Sequence, residues 1–452
     1  MIRLHDTASG RTAGVELRDA GEVSMYVCGP TVYDLPHIGH GRMALVWDVL
    51  RRYLEWSGLD VRFVSNITDI DDKIIRRANE EGRTSDDVAV QYEGAWYDAM
   101  DALNVKRPTV DPHATAYVSQ MVELIAGLVA AGTAYETSDG VYLSVDAVPG
   151  YGLLARQSLD SLRAGARVDV VEEKRSPLDF ALWKVAKPGE PTWPAPWGAG
   201  RPGWHTECVV MSLDLLGDGF DLHGGGIDLA FPHHENERAQ AVAAGRGFAR
   251  RWAHNGHVQM GGEKMSKSLG NFTTLTDLLA SVDPRAYRLL VLQSNYRAPV
   301  EVTDDTIEKA TGTLAGLDAF ARRTAELPVA GADADALDRF RAAMDDDLDT
   351  PRAVAEMWTL LRAANTALDA GDAAGAAARA AAVREMADAV GLGLRGGAAD
   401  IPAEIAALVA ERDAARTARD FAGADSLRDR LERLGWAVED APRGTRVHRK
   451  DH

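Results

Sequence analysis

Residues 25 to 68 constrain the fold more than any other part of the chain. In MYVCG (25–29) an apolar run ends at a glycine, which predicts a short strand and a turn. In GRMALVWDVLRRYLEWSG (41–58), Met43, Val46, Trp47, Leu50, Tyr53 and Leu54 recur at helical spacing, and Gly58 ends the run. DVRFVSNIT (60–68) then predicts a second strand. Two strands joined through one helix make a βαβ unit, and its parallel sheet needs helices on its faces. The turn CGPTVYDLPHIGHGR (28–42) falls at the first crossover, where open α/β sheets bind ligands.

At 452 residues the chain is too long for one core. Residues 1–118 are expected to form the first half of a Rossmann-type parallel-sheet catalytic domain. Residues 119–198 read as a connective insertion. Its exit, KPGEPTWPAPWGAGRPG (187–203), is too rich in proline and glycine for helix or central strand. The second half of the catalytic domain follows at 199–250, where FDLHGGGIDLAFPHHENERAQAVAAG predicts strand, glycine turn and helix. Residues 251–302 carry a lysine loop. An Ala-rich helical bundle is predicted over 303–395. A small mixed α/β domain closes the chain at 401–452, with a helical pair before the hairpin GWAVEDAPRGTRVHRK.

The N-terminal MIRLHDTASGR has no apolar run after a basic start, so no signal peptide is expected. No apolar stretch approaches the length of a spanning helix. Cys28 and Cys208 are the only cysteines, which fits a reducing cytoplasm better than a disulfide scaffold. A net charge of −18 argues against a nucleic-acid partner at first sight. Residues 401–452, however, carry ten basic and ten acidic side chains, so the excess lies upstream. Arg443 to Lys450 contains four basic residues and no acid, and Trp436 lies nearby as a candidate base-stacking platform or a core residue.

Both cysteines end apolar stretches beside turn residues, and PHHENE places His233 and Glu237 at i and i+4. Two thiolates, an imidazole and a carboxylate make a plausible zinc set; burial of both cysteines as small side chains is the alternative. His37 and His40 open a helix, where they can either donate to an anion or cap the helix. Lys264 and Lys267 in GGEKMSKSLGNF (261–272) can close over a triphosphate, or form a solvated basic loop. HGGGID (223–228) offers a close-approach backbone, with Asp228 as acceptor for a ribose hydroxyl. Asp69, Asp71 and Asp72 could bind magnesium or simply open a helix. MDDDLDTP (344–351) reads as a helix terminus, and HNGH (254–257) as an echo without function.

HIGH at 37–40 and KMSKS at 264–268, in that order, resemble the two signatures of class I aminoacyl-tRNA synthetases. MYVCGPTVYDLPHIGHGR, NITDIDDKII, GRPGWHTEC, DLHGGGIDLAFPHHENERAQ, GEKMSKSLGNF and ARDFAGADSLRDRLERLGWAVEDAPRGT extend the resemblance to the cysteinyl-tRNA synthetases over the whole chain. It implies ATP-dependent activation of L-cysteine to cysteinyl-adenylate and transfer to the 3′ end of tRNA(Cys), by a cytoplasmic monomer. One Zn2+ per chain would be held by Cys28, Cys208, His233 and Glu237, and ATP would arrive with Mg2+. His37, His40, Lys264 and Lys267 take the catalytic positions, and Gly39, His40, Asp228 and Lys267 those that bind ATP. Gly29, Thr68 and Trp204 match the amino-acid pocket. The alternative is a relative that joins cysteine to glucosaminyl-inositol in mycothiol biosynthesis, which resembles the catalytic half.

Overall fold

The computed structural model describes residues 2–157, 173–261, 263–264, 273–396, 401–441 and 444–449, with the backbone alone at 263, 264, 441, 446, 448 and 449. Strand Glu22–Val27, helix Ile38–Trp56 and strand Asp60–Ser65 form the βαβ unit, the strands parallel from Val23 opposite Val61 to Val27 opposite Ser65. The helix begins at Ile38 rather than at Gly41, because His37 caps it. Its buried side carries Leu45, Trp47, Val49, Leu50 and Tyr53.

Two further parallel strands, Leu222–Gly226 and Arg251–Asn255, complete a four-stranded sheet. Its spatial order is 60–65, 22–27, 222–226, 251–255. The chain leaves strand 22–27 toward one side and later returns on the other. The crevice beyond the carboxyl ends of 22–27 and 222–226 is therefore the topological switch point. Cys28 and the glycines of HGGG converge there. These glycines are demanded by the protein's own packing: a Cβ on Gly224 would lie 2.7 Å from the Trp47 ring, and one on Gly225 would lie 2.9 Å from His234.

The insertion supplies helix Val118–Ala130 and an antiparallel sheet of strands 134–137, 140–143, 180–185 and 200–202. This sheet runs past residue 198. The proline-rich exit contributes its edge strand, where the missing N–H of Pro202 is tolerated. Ion pairs from Asp72 to Lys184 (2.6 Å) and to Arg201 (2.5 Å) tie this sheet to the catalytic body.

Beyond the parallel sheet, strand Val258–Met260 pairs with Glu263–Lys264 on one side and Val300–Glu301 on the other. Helices Asp304–Arg323, Ala334–Met344, Thr350–Asp369 and Ala373–Ala389 form the bundle. Its core is continuous with that of the βαβ unit: Phe340 meets Trp56 edge-on at 5.4 Å. The acidic run before Pro351 fastens the two. Asp345 accepts from the Tyr53 hydroxyl at 2.7 Å, and Asp347 accepts from the His5 amide at 2.7 Å and pairs with Arg297 at 2.6 Å.

Helices Ala403–Thr417 and Phe421–Arg433 pack on the hairpin Trp436–Ala441/Gly444–Arg449 around a core of their own: Ile405, Leu408, Leu431, Trp436 and Val447. Trp436 is thus a core residue at 7% exposure rather than a stacking platform, and Phe421, 65% exposed, is the aromatic this unit presents to solvent. Arg443 and Lys450 lie outside the described residues, and Arg446 and Arg449 are described by backbone only. Among the described residues, no helix is long and apolar enough to cross a membrane.

Candidate active site at the switch point

Four elements deliver Cys28, Cys208, His233 and Glu237 to one point. Cys28 directly follows strand 22–27, and Cys208 lies in helix Trp204–Leu216. His233 sits in the wide turn Ala230–His234, and Glu237 in the first turn of helix Glu235–Ala243. The two sulfurs are 3.7 Å apart, Cys208 Sγ is 3.6 Å from His233 Nε2, and Glu237 Oε1 is 3.0 Å from that nitrogen and 3.4 Å from Cys28 Sγ. Two thiolates ~2.3 Å from one zinc ion at the tetrahedral angle lie ~3.8 Å apart, so the donor set fits zinc in kind and in span. All four residues are buried, their ligand atoms all lying within 4.8 Å of one another. Burial pushes the Cys28 thiol well up and His233 well down from their ordinary values. A buried dication reverses the first of these costs by favouring thiolate.

Histidines that the sequence reading passed over surround this set. His205 Nδ1 lies 2.8 Å from His233 Nδ1, which fixes the His233 ring with Nε2 toward the thiols. His223 Nε2 reaches Glu237 Oε2 at 2.8 Å. His234 Nε2 approaches Cys28 Sγ at 3.3 Å, its Nδ1 meets His254 Nε2 at 2.9 Å, and His254 Nδ1 meets the Thr7 hydroxyl at 2.6 Å. Burial holds His205 and His254 neutral, each near about 3. HNGH is therefore no idle echo: His254 lies near the carboxyl end of strand 251–255 and supports the thiol cluster. Its signal was position, at the carboxyl end of a parallel strand, rather than spacing.

Trp204 stacks on His233 with ring centroids 4.0 Å apart and is 37% exposed, forming a wall beside the cluster. Gly29 is obligatory, since a Cβ there would fall 1.6 Å from the Asn66 carbonyl oxygen. Its amide donates to Asn66 Oδ1 at 2.9 Å. Thr68 is buried at 1% exposure; its hydroxyl donates to Glu207 at 3.0 Å and accepts from Asn66 at 3.1 Å. Thr68 thus braces the floor of the site.

His37 and His40 cap each other. The His40 amide donates to His37 Nδ1 at 3.2 Å, and the His37 amide to His40 Nδ1 at 3.3 Å, with the rings stacked at 3.6 Å. With both Nδ1 atoms accepting, a neutral imidazole at either position has its proton on Nε2. Gly39 lies between them in the first turn, where amides lack helical acceptors. Lys267 lies outside the described residues, and only the backbone of Lys264 is described. The chain after the lysine segment is anchored at this turn: the Leu275 amide donates to the Pro36 carbonyl at 2.7 Å, and Thr274 bridges His37.

Asp228 is exposed on the turn after strand 222–226. The other acids are structural. Asp69 accepts from the Thr115 amide at 3.0 Å, Asp71 caps helix Asp72–Glu81, and Asp72 holds the insertion.

Residues 15–312 match the family of class I (C) tRNA synthetase catalytic domains, 339–395 the DALR domain, and 398–448 the cysteinyl-tRNA ligase anticodon-binding domain. The chain is 47% identical to the cysteine–tRNA ligase of Halorhodospira halophila over 99% of its own length and 100% of the relative's. It is 48% identical to that of Alkalilimnicola ehrlichii over the full length of both. Among solved structures it shares its fold with the Mycobacterium tuberculosis methionyl-tRNA synthetase bound to methionyl-adenylate (TM-score 0.59, 18% identity, 82% of this chain and 89% of that one).

Proposed function

The chain belongs to the cysteine–tRNA ligases, class I aminoacyl-tRNA synthetases, and from that premise we propose how its own residues charge tRNA(Cys) with cysteine. The reading rests above all on the tetrad Cys28, Cys208, His233 and Glu237, gathered under Trp204 at the switch point.

Cysteine and serine differ by one atom, and packing alone discriminates such pairs by only ~1–3 kcal/mol. A zinc ion held by the tetrad would supply a soft Lewis acid that takes a thiolate at pH 7 and leaves an alcohol, with its far more tightly held proton, unbound. His205, His223 and His234 orient the protein's own ligands, and Trp204 covers the amino acid. In the first step the cysteine carboxylate attacks the α-phosphorus of ATP, brought with Mg2+, and pyrophosphate leaves. The Nε2–H groups of His37 and His40, the amide of Gly39, and Lys264 and Lys267 stabilise the charge that builds on the phosphates, and Asp228 accepts from a ribose hydroxyl. The terminal adenosine hydroxyl of tRNA then attacks the cysteinyl carbonyl and AMP leaves.

We assign catalysis to 1–118 and 199–250, acceptor-stem contact to 251–302 and anticodon binding to 401–452, in a monomeric cytoplasmic enzyme. The C-terminal match favours tRNA over glucosaminyl-inositol as acceptor. Cysteine-dependent ATP–pyrophosphate exchange, followed by transfer to each acceptor, tests this. Wild-type protein should bind one zinc and prefer cysteine to serine by more than about a hundredfold. Cys208→Ser should lose both zinc and exchange. Full activity in zinc-free protein, or serine activated within about tenfold of cysteine, sinks the reading.

A further inference from the structure

Arg42 follows the His37–His40 turn on the same helix, and it is 1% exposed. Its described partners are main-chain carbonyls, not carboxylates: His257 at 2.5 Å, Tyr296 at 3.1 Å, Asn295 at 3.4 Å, and Ala298. Burying a cation without a counter-ion is costly, and mere packing of helix on loop would be served better by leucine or methionine. What a guanidinium adds is a rigid fork that fixes several acceptors relative to one another.

The four carbonyls belong to two segments that converge. His257 precedes strand 258–260, and Asn295, Tyr296 and Ala298 precede strand 300–301, its parallel neighbour. Strand 258–260 also pairs with 263–264, which holds Lys264 and leads toward Lys267. There is little slack where the fork grips: the Gly256 amide donates to the Tyr296 carbonyl at 2.8 Å, and a Cβ on Gly256 would lie 2.5 Å from the Ala298 oxygen. Past the lysines, the chain returns to the same helix start through Ile38 N–H to Thr273 O (3.4 Å) and Leu275 N–H to Pro36 O (2.7 Å). Both approaches to the lysine segment are therefore referenced to one helix terminus, one by main-chain bonds and the other through Arg42.

We propose that Arg42 is a positioning residue for adenylate formation: its fork holds the root of the lysine-bearing strand pair in register with the His37–His40 turn. This rests on the reading that the two motifs act together on the phosphates of ATP.

Arg42→Lys keeps the charge, but one ammonium cannot span the four carbonyls. In the full-length enzyme, kcat for cysteine-dependent pyrophosphate exchange should fall at least about tenfold, while KM for cysteine stays within about threefold and zinc content is unchanged. A merely structural arginine would lower the thermal midpoint and leave kcat per folded enzyme at the wild-type value; that result overturns the inference. Should Arg42→Lys fail to fold, Gly256→Ala decides in its place, because it pushes the Ala298 carbonyl off the fork without touching the charge. Lys267→Ala separates inference from premise. A fall in kcat there with a wild-type rate in Arg42→Lys overturns the inference alone, whereas a wild-type rate in Lys267→Ala overturns the premise.

Discussion

A histidine that caps a helix through Nδ1 presents Nε2 on its far side, and His37 and His40 cap one helix start as a pair. Capping and phosphate binding, which compete as readings of HIGH in the sequence, are thus compatible: the cap sets the tautomer that binding requires. His37→Asn separates the two roles. Asparagine is a good N-cap, so the thermal midpoint should reflect a change of no more than about 1 kcal/mol. The exchange rate should still drop at least about tenfold, as for loss of one transition-state donor. An unchanged rate would make His37 a cap and nothing else. The tetrad was legible as a donor set from its residue types, and as a zinc site only through the family resemblance. His223, His234 and His254 were not, since each supports the site through a neighbour on another strand or turn, and that adjacency exists only after the sheet orders itself 60–65, 22–27, 222–226, 251–255.

Periodicity exposed the helix of the βαβ unit, apolar runs its strands and Ala-rich composition the bundle, but none of these could show what joins them. Acid runs illustrate the limit. NITDIDDK and MDDDLDTP look alike as strings, and both turn out to be fasteners, because their partners (Lys184, Arg201, His5, Arg297) come from remote segments. Asp72 gives this a measurable form. Although burial acts to raise it, the hydrogen bonds from Lys184 and Arg201 bring its carboxyl down to about 2 from an ordinary 3.8. A depressed carboxylate stabilises the fold above its unfolded pKa and loses that contribution as pH falls through the folded one. Asp72→Asn should therefore cost about 1 kcal/mol at neutral pH, a figure discounted for screening of a side chain 43% exposed. The gap between wild type and variant should stay constant above about pH 4 and close toward pH 2. A gap in thermal midpoint that persists at pH 2 would place the effect in packing rather than charge.

The whole molecule carries −18, and a polyanion must still be held. On the proposed reading, the C-terminal unit separates that task from catalysis. It is neutral overall and has its own core, whereas the tetrad, the HIGH turn and the root of the lysine segment all lie before residue 272. Removing 401–452 should leave cysteine-dependent pyrophosphate exchange within about twofold of wild type. Charging of tRNA should collapse through weaker binding, and the salt dependence of that binding should become shallower as phosphate contacts are lost. Two point variants sharpen the argument. Trp436→Ala empties the centre of a core of five buried side chains, and a loss of ~3–5 kcal/mol exceeds what so small a unit has to spare. It should reproduce the deletion. Phe421→Ala removes an exposed ring, so the unit should stay folded while tRNA affinity falls by the ~1–3 kcal/mol of one base stacked on an aromatic face. If Phe421→Ala binds tRNA like wild type while Trp436→Ala does not, the unit grips its partner through its polar surface alone. If neither variant affects charging, recognition of tRNA lies upstream of residue 401.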